Sequence, residues 1–271
     1  MPTFATPAPI AATVQVAGAR VRVTASDRAD TVVRVEPINA ASRTDVKVAD
    51  KTKVDFAGGR LSVKTTAAGH KDGSVAITID LPRGSSLVAY LAHSDVHADG
   101  SFGECELHMA SGRVELDRID ALQANIAGGE VAIAEIAGRA DIDGSRGQVR
   151  IGHASSDLEL RSASGGLDID RADGNVTATT ASGAIRIGRM TRGHAELTNG
   201  SGEIEVGIST GAAASIDINS ERGSVRNSVP PQQDPGTSEN TVSVHARTRY
   251  GDIVIHRAAA DPHDASVTST S

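Results

Sequence analysis

The sequence predicts an all-β protein with the architecture of a β-solenoid, a single-stranded β-helix-like rod of about 18-residue coils. Three observations lead to this prediction. A glycine recurs at near-constant spacing, apolar residues hold fixed positions around it, and the composition combines 28 glycines with only 2% aromatic residues. A core without large rings has to be assembled from many small aliphatic side chains.

The recurring glycine sets the period of the chain. Successive gaps are 17, 18, 18, 18, 19, 21 and 28 residues. Glycine lacks a Cβ atom and adopts positive φ without steric cost, so the repeat predicts one chain reversal in each coil. The series comprises Gly112, Gly129, Gly147, Gly165, Gly183, Gly202, Gly223 and Gly251.

Apolar side chains occupy the same positions around each of these glycines. Of the thirty-two positions that lie seven and five residues before or two and four residues after a glycine, only Asn227 is polar. With 39% hydrophobic residues in the chain, about 12 apolar residues are expected there by chance. The spacing of two predicts strands with alternate side chains turned inward, one strand on each side of the glycine. A fifth apolar column is expected to turn a corner inward: Ile119, Ile136, Ala154, Ala172 and Met190.

A single repeat cannot bury its apolar face, whereas stacked repeats cover one another. Stacking in chain order would place successive coils about 4.8 Å apart along a rod. Four or five buried aliphatic side chains in each coil would contribute roughly 6–12 kcal/mol before chain entropy is subtracted. An antiparallel meander folded into a sandwich is the competing architecture.

The regular solenoid repeats occupy residues 93–257. Residues 1–92 are strand-rich but irregular, and we expect them to cap the rod against open-ended stacking. The stretch 227–241 contains three prolines and predicts a loop insertion, which accounts for the 28-residue gap. Residues 258–271 are mainly Ala, Ser, Thr and Asp and predict a disordered tail.

Several phrases of the chain resemble those of a large bacterial family. They are the repeated Ala-Ser-Gly-x-Ile-x-Ile, the closing stretch from Ala246 to Ile255, and the opening Pro2-Thr3-Phe4. Together they are similar to the putative adhesin family of β-strand-repeat proteins, a domain of unknown function common in actinobacteria. The resemblance covers nearly the whole chain and implies a β-repeat fold and adhesion at a surface. The family offers no established active-site residues to carry over.

One cluster of candidate metal ligands lies at the start of the regular repeats. It comprises His93, Asp95, His97 and Asp99. On a strand these side chains share one face, and imidazole with carboxylate is a donor set suited to zinc or another divalent ion. Two alternate strand positions lie about 7 Å apart, so a turn or a neighbouring coil would have to complete the site. The alternative is a solvated outer face.

A candidate binding face is the outward column six positions before the recurring glycines. Its acidic members are Glu106, Asp141, Glu159, Glu196 and Asp217. In chain order Asp141 lies beside Glu159 and Glu196 beside Asp217, and these pairs would repel unless a cation or an arginine intervened. A calcium ion or a basic partner on this column is one interpretation. A ladder of solubilising ion pairs is the other.

Composition excludes some functions. The formal net charge of −7 disfavours nucleic acid as a partner, and the scarcity of aromatic residues disfavours ring-stacking RNA platforms and carbohydrate-stacking enzymes. No P-loop, dinucleotide fingerprint or C-x-x-C is present, so no cofactor is predicted. The single cysteine, Cys105, occupies a core position and predicts a buried, inert thiol.

The sequence therefore predicts a non-catalytic β-repeat scaffold or adhesin-like module that binds an unknown protein or surface partner. One alternative is a cytoplasmic, self-assembling solenoid that forms a polymer by end-to-end strand pairing, and another is a β-helix enzyme acting on a polymer. The N-terminus has no basic region followed by an apolar run, and the chain has no transmembrane segment, so a cytoplasmic location is expected. Export to the cell surface by another route is the alternative location.

Overall fold

The computed structural model describes residues 2–65, 73–230 and 240–259. The protein is 72% strand and 4% helix, which excludes helices packed on a sheet, and its parallel strands nearly close round an axis. The predicted β-solenoid is therefore confirmed. The competing antiparallel sandwich is wrong, because successive repeats pair in parallel, as Ile151 does with Ile169.

Strands dominate the described part of the chain from one end to the other. In chain order the elements are β1 (Thr3–Ala5), β2 (Ala11–Ala17), β3 (Ala19–Ser26), β4 (Asp30–Pro37), α1 (Arg43–Lys51), β5 (Lys53–Ala57), β6 (Arg60–Lys64), β7 (Val75–Pro82), β8 (Ser86–Ile126), β9 (Glu130–Ile136), β10 (Ala140–Arg146), β11 (Gln148–Ala154), β12 (Leu158–Ser164), β13 (Leu167–Ala172), β14 (Val176–Ser182), β15 (Ile185–Met190), β16 (Gly193–Ser201), β17 (Ile204–Ile208), β18 (Ala213–Arg222), β19 (Val225–Asn227), β20 (Thr241–Tyr250) and β21 (Ile253–Arg257).

The strands form two parallel ladders on opposite sides of the core. We name the ladder that precedes the turn glycines the front sheet and the ladder that follows them the back sheet. The long β8 winds through both sheets. The front sheet runs in the order β6, β2, β8 segments 86–92, 105–109 and 122–126, β10, β12, β14, β16, β20, β18. The back sheet runs in the order β7, β3, β8 segments 95–100 and 113–119, β9, β11, β13, β15, β17, β21, β19.

The turn glycines stack directly on one another between the two sheets. Gly165 has φ of +141°, and a Cβ atom built on it would lie 1.8 Å from the backbone oxygen of Gly147 in the preceding coil. A side chain is therefore excluded twice, by the backbone conformation and by the closeness of the next coil. Only the first of these reasons could be inferred from the sequence.

Inward columns of aliphatic side chains fill the space between the sheets. In the back sheet, Val149, Leu167, Ile185 and Ile204 lie in register on successive strands, and each is at most 4% exposed. The predicted fifth column is also buried and in register from Ile119 to Met190. Each coil thus covers the apolar face of the next, which is the condition for a stable stack.

The coils at the C-terminal end of the rod do not stack in chain order. β20 lies between β16 and β18, and β21 lies between β17 and β19. The last coil of the chain, β20 and β21, therefore separates the two coils that precede it in the sequence. His245 therefore pairs with both Glu196 and Asp217. The expectation that Glu196 and Asp217 are direct neighbours is wrong, because an imidazole separates the two carboxylates.

A similar exchange occurs at the N-terminal end. The first coil, β2 and β3, lies between the later coil of β6 and β7 on one side and β8 on the other, so the later coil is the outer one. Beyond that outer coil, β4 pairs antiparallel with β7 and β5 pairs antiparallel with β6. These antiparallel strands occupy the edges that a further parallel coil would need, so they close this end of the rod.

Helix α1 belongs to this closure and was not anticipated from the sequence. The Ser42 hydroxyl caps it by accepting from the backbone N–H of Asp45. The Asp45 carboxylate in turn accepts from the backbone N–H groups of Asn39 and Ser74, at 3.0 and 3.1 Å, and the bond from Ser74 is the main reason that its pKa is lowered. This carboxylate therefore ties the helix to the segment that enters β7.

Parts of two predicted segments lie outside the described residues. They are residues 231–239 of the expected loop insertion and residues 260–271 of the expected tail. Within the described part of the insertion, Val229 is buried against the core, and the backbone N–H of Ser228 donates to the Ile255 oxygen.

Candidate binding surfaces

The four candidate metal ligands do not converge. His93 sits at a coil corner with φ of +50°, and its Nδ1 lies 2.7 Å from the Ser111 hydroxyl. Of the set, only His97 and Asp99 are in contact, with Nε2 2.7 Å from Oδ1. The Nδ1 of His97 lies 2.9 Å from a carboxylate oxygen of Glu115 in the next coil.

His97 is thus placed between two carboxylates, one at each nitrogen of its ring. Within residues 2–65, 73–230 and 240–259, no three His, Cys, Asp or Glu side chains form a group that could hold a metal ion. Metal binding by His93, Asp95, His97 and Asp99 stays a prediction, and the geometry of these side chains gives it no support.

Most of the acidic column on the front sheet is paired with basic side chains. Glu106 contacts His108 at 2.6 Å, and Glu159 contacts Arg139 at 3.0 Å as well as Arg161. Arg161 also reaches Asp141 at 3.6 Å.

Towards the C-terminal end of this column, Asp217 contacts Arg247 at 2.6 Å, and this hydrogen bond is the main reason that the pKa of Asp217 is lowered. Glu196 differs, because its carboxylate has no ion pair within the described residues. The ion-ladder interpretation therefore describes the geometry better than a vacant cation site does. A role of the column as a binding face stays a prediction.

The back sheet carries a second ladder of alternating charge. Arg186 lies 2.7 Å from Asp168 and 3.8 Å from Glu205, and Arg150 approaches Asp168 to 3.5 Å. The hydrogen bond to Asp168 is the main reason that the pKa of Arg186 is raised. Exposed pairs of this kind contribute about 0–1 kcal/mol each, so their main effect is to keep the back sheet soluble and its charges satisfied.

A network at the coil corners joins three successive coils. The Asp173 carboxylate contacts Arg171 at 3.0 Å, Thr191 at 2.7 Å and His153 at 2.8 Å. Burial alone would raise the pKa of Asp173, but these hydrogen bonds outweigh it and lower the pKa to about 2. This network was missed from the sequence, although its members recur at the coil period: Thr191 lies 18 residues after Asp173, and His153 pairs in register with Arg171.

Cys105 is placed as predicted. Its side chain is 6% exposed in the core, and burial raises the pKa of the thiol to about 12. A thiol with that pKa is almost entirely protonated at neutral pH and is a poor nucleophile.

A groove on the front sheet was missed from the sequence. It crosses the strands near the N-terminal end of the rod and has a volume of about 730 Å³. Its lining includes Tyr90 and His108, whose rings stack with centroids 4.7 Å apart and planes at 3°. A signal was available, because Tyr90 is an outward residue between inward Ala89 and Leu91, and His108 follows it by one coil period.

The fold and these surfaces define a class of protein, a β-solenoid rod with mostly ion-paired flanks and a groove on one side. The family model named Toastrack DUF4097 matches residues 12–261, and the chain belongs to this family. A search of curated proteins gave no match.

Solved structures with the same fold include a "putative adhesin" from Bacteroides fragilis. It is 13% identical, with a TM-score of 0.52 over 94% of this chain and 95% of that one. Two further structures, from Parabacteroides distasonis and Parabacteroides merdae, are each also named a "putative adhesin". Both are 10% identical to this chain, with TM-scores of 0.43 and 0.39. The alignments cover 93% and 95% of this chain, respectively, and 95% of each of those chains. In the part of the chain described, no helix is both long and apolar enough to cross a membrane.

Proposed function

We propose that this chain is a non-catalytic, adhesin-like module that binds a surface partner through the front sheet of its rod. The observation on which the proposal rests is the front-sheet groove, where the exposed Tyr90 ring stacks on the half-buried His108 ring, whereas the back sheet carries a ladder of ion pairs. The adhesin names of the similar solved structures support the same interpretation. An adhesin-like role requires that the chain reach the cell surface, which favours the exported location over the cytoplasmic one.

A binding module of this shape would work by presenting fixed side chains on a rigid surface. The groove residues Tyr90 and His108 lie on paired strands whose inward neighbours, such as Leu91 and Leu107, are at most 4% exposed. Because the core holds the strands, the outward side chains need little reordering on binding, which lowers the entropic cost of association.

The proposal can be tested by blocking one sheet at a time. Thr179 is an exposed front-sheet residue and Ala134 an exposed back-sheet residue. Each is replaced by Cys and coupled to a maleimide-linked polyethylene glycol chain, which buried Cys105 will not take up. Beads that carry the full chain are then allowed to settle on layers of bacterial and epithelial cells. We expect Thr179→Cys beads to lose retention after coupling and Ala134→Cys beads to keep it.

Equal retention of the two coupled variants would contradict a front-sheet binding site. Retention no greater than that of albumin-coated beads would contradict the adhesin-like role itself. Release of soluble fragments from a polysaccharide by the purified chain would favour the alternative of a β-helix enzyme acting on a polymer.

The C-terminal end of the rod favours self-association as a second candidate function. In the described part of the chain, β18 pairs only with β20 and β19 only with β21, so each has a free edge. Ile216 and Ile218 are only partly buried there, and Val225 is 44% exposed. Because the N-terminal end is closed by antiparallel strands, pairing through the free end would join two rods and stop, rather than build a filament.

Light scattering over a range of concentrations distinguishes these states. We expect the mass of a dimer for the full chain and the mass of a monomer for Ile218→Lys, which places a charge on the free edge. A monomer at high concentration for the unmodified chain would contradict self-association, and masses that keep rising with concentration would contradict a closed pair.

A further inference from the structure

The front-sheet groove has an apolar floor and a polar wall that both run along the rod axis. The floor is built from alanines on successive coils, of which Ala110 and Ala127 are exposed. The wall is formed by outward residues of the same coils, two positions earlier on each strand: Gln15, Tyr90, His108 and Asn125. A ligand lying in the groove would therefore meet methyl groups on one side and polar groups on the other.

The wall holds one of the few aromatic side chains of the protein in an exposed position. The chain has no Trp, two Tyr and three Phe. Phe102 is buried in the core, and Phe4 stacks on Phe56. Tyr90 is 41% exposed, although its ring could have been buried to stabilise the fold. Its exposure places a phenol hydroxyl, a donor and an acceptor at once, at the groove.

Two side-chain amides stand on either side of the ring pair. Gln15 pairs in register with Tyr90, and Asn125 lies on the segment beyond His108. Both amides are exposed, and neither side chain makes a hydrogen bond within the described residues. An amide offers two donor hydrogens and an acceptor oxygen, which is the combination that a hydroxyl group engages.

Among the described residues, the groove lining contains Asp143 but no lysine or arginine. Asp143 lies 3.5 Å from Arg161, which also contacts Asp141 and Glu159, so carboxylates outnumber arginines at this position. An anionic ligand would be repelled there, whereas a neutral ligand would not. A peptide is also poorly suited, because the backbone groups of these parallel strands are bonded to strands on both sides and cannot accept an added strand.

We propose that the groove binds a neutral glycan chain that lies along the rod axis. Its hydroxyl groups bond to the amides of Gln15 and Asn125 and to the Tyr90 hydroxyl, while its C–H surfaces pack on the alanine floor. The inference rests on the proposed binding function and names the chemistry of the partner. It also revises what composition suggested, since one exposed ring and two amides that make no side-chain hydrogen bond within the described residues take the place of a row of aromatic residues.

The tyrosines themselves provide the probe. The Tyr250→Phe variant leaves Tyr90 as the only tyrosine in a chain without tryptophan, so its fluorescence reports on the groove alone. In this background we titrate cellohexaose, mannohexaose and chitohexaose, with oligogalacturonate as the acidic comparison. We expect a saturable change in emission with at least one neutral hexasaccharide and none with oligogalacturonate. Asn125→Ala and Gln15→Ala should each weaken binding about 3- to 10-fold, the loss of one hydrogen bond.

Asn219→Ala is the matched control, because Asn219 is an exposed asparagine of the front sheet on the coil at the far end. It should leave the affinity unchanged. No response to any neutral hexasaccharide, tighter binding of oligogalacturonate, or equal effects of Asn125→Ala and Asn219→Ala would overturn the proposal. If Asn125→Ala beads are retained on cells like unmodified beads, the glycan site fails while the adhesin-like function survives.

Discussion

At the scale of single residues, the turn glycines are the positions with the least tolerance for change. Gly165 illustrates why, since it combines positive φ with a neighbouring backbone oxygen 1.8 Å from where a Cβ would lie. Its chain neighbour Gly166 has no atom within 4 Å of the corresponding point. Two adjacent glycines thus have opposite structural requirements, which agrees with the sequence period, since only Gly165 belongs to the recurring series.

We expect Gly165→Ala to lower the free energy of unfolding by about 3 kcal/mol or more, because backbone strain and a backbone clash act together. Gly166→Ala should change it by about 0.5 kcal/mol or less. Urea unfolding followed by circular dichroism measures both. Similar losses for the two variants would show that the glycine stack does not determine which positions need glycine.

At the scale of elements, side-chain networks hold neighbouring coils in register. The Asp173 carboxylate, with its side chain 15% exposed, joins β13 to His153 on β11 and to Thr191 beyond β15. Since its folded pKa is about 2, below the ordinary 3.8, the ionised carboxylate stabilises the fold at neutral pH.

We expect Asp173→Asn to lower the free energy of unfolding by about 1–2 kcal/mol at pH 7, after allowance for solvent screening. A lowered pKa contributes stability that is present above the unfolded value near 4 and is lost as the pH falls through about 2. The difference between the two proteins should therefore shrink from pH 4 downwards. Chemical unfolding at several pH values tests this, with Asp50→Asn on the exposed face of α1 as the control. A difference that stays constant down to pH 2 would rule out the carboxylate as its source.

At the scale of the whole molecule, the order of coils along the rod differs from their order in the chain. Glu196, His245 and Asp217 lie on adjacent strands in that order. Neighbouring strands are about 5 Å apart and alternate ones about 10 Å, and a disulfide needs Cα atoms within about 7 Å.

Engineered cysteine pairs should report this order. We expect the pairs E196C/H245C and H245C/D217C to form disulfides on mild oxidation, and the pair E196C/D217C to remain reduced, as judged by mass spectrometry of peptides. Buried Cys105 should not interfere. Formation of a disulfide in the pair E196C/D217C would instead show that the coils stack in chain order.

The closed and open ends follow from the same exchange of coils. At the N-terminal end, antiparallel β4 and β5 occupy the outer edges, whereas within the described residues β18 and β19 leave theirs free. The proposed self-association belongs to this scale, because it depends on which coil is outermost rather than on any one side chain.

The sequence by itself determined the period of the coil, the turn glycines and the inward columns. These features repeat within every coil, so alternation of two and the return of glycine every 17–19 residues were sufficient to predict them from Gly112 to Gly202. Cys105 could be placed in the core for the same reason.

Only the tertiary structure decided which coil lies against which, where helix α1 closes the rod, and which outward side chains form the groove. Coils pair through backbone hydrogen bonds and through aliphatic columns that are similar in every coil. The residue pattern within one coil therefore does not specify which other coil lies against it. The pairing of Gln15 with Tyr90 and the separation of Glu196 from Asp217 are consequences of that choice.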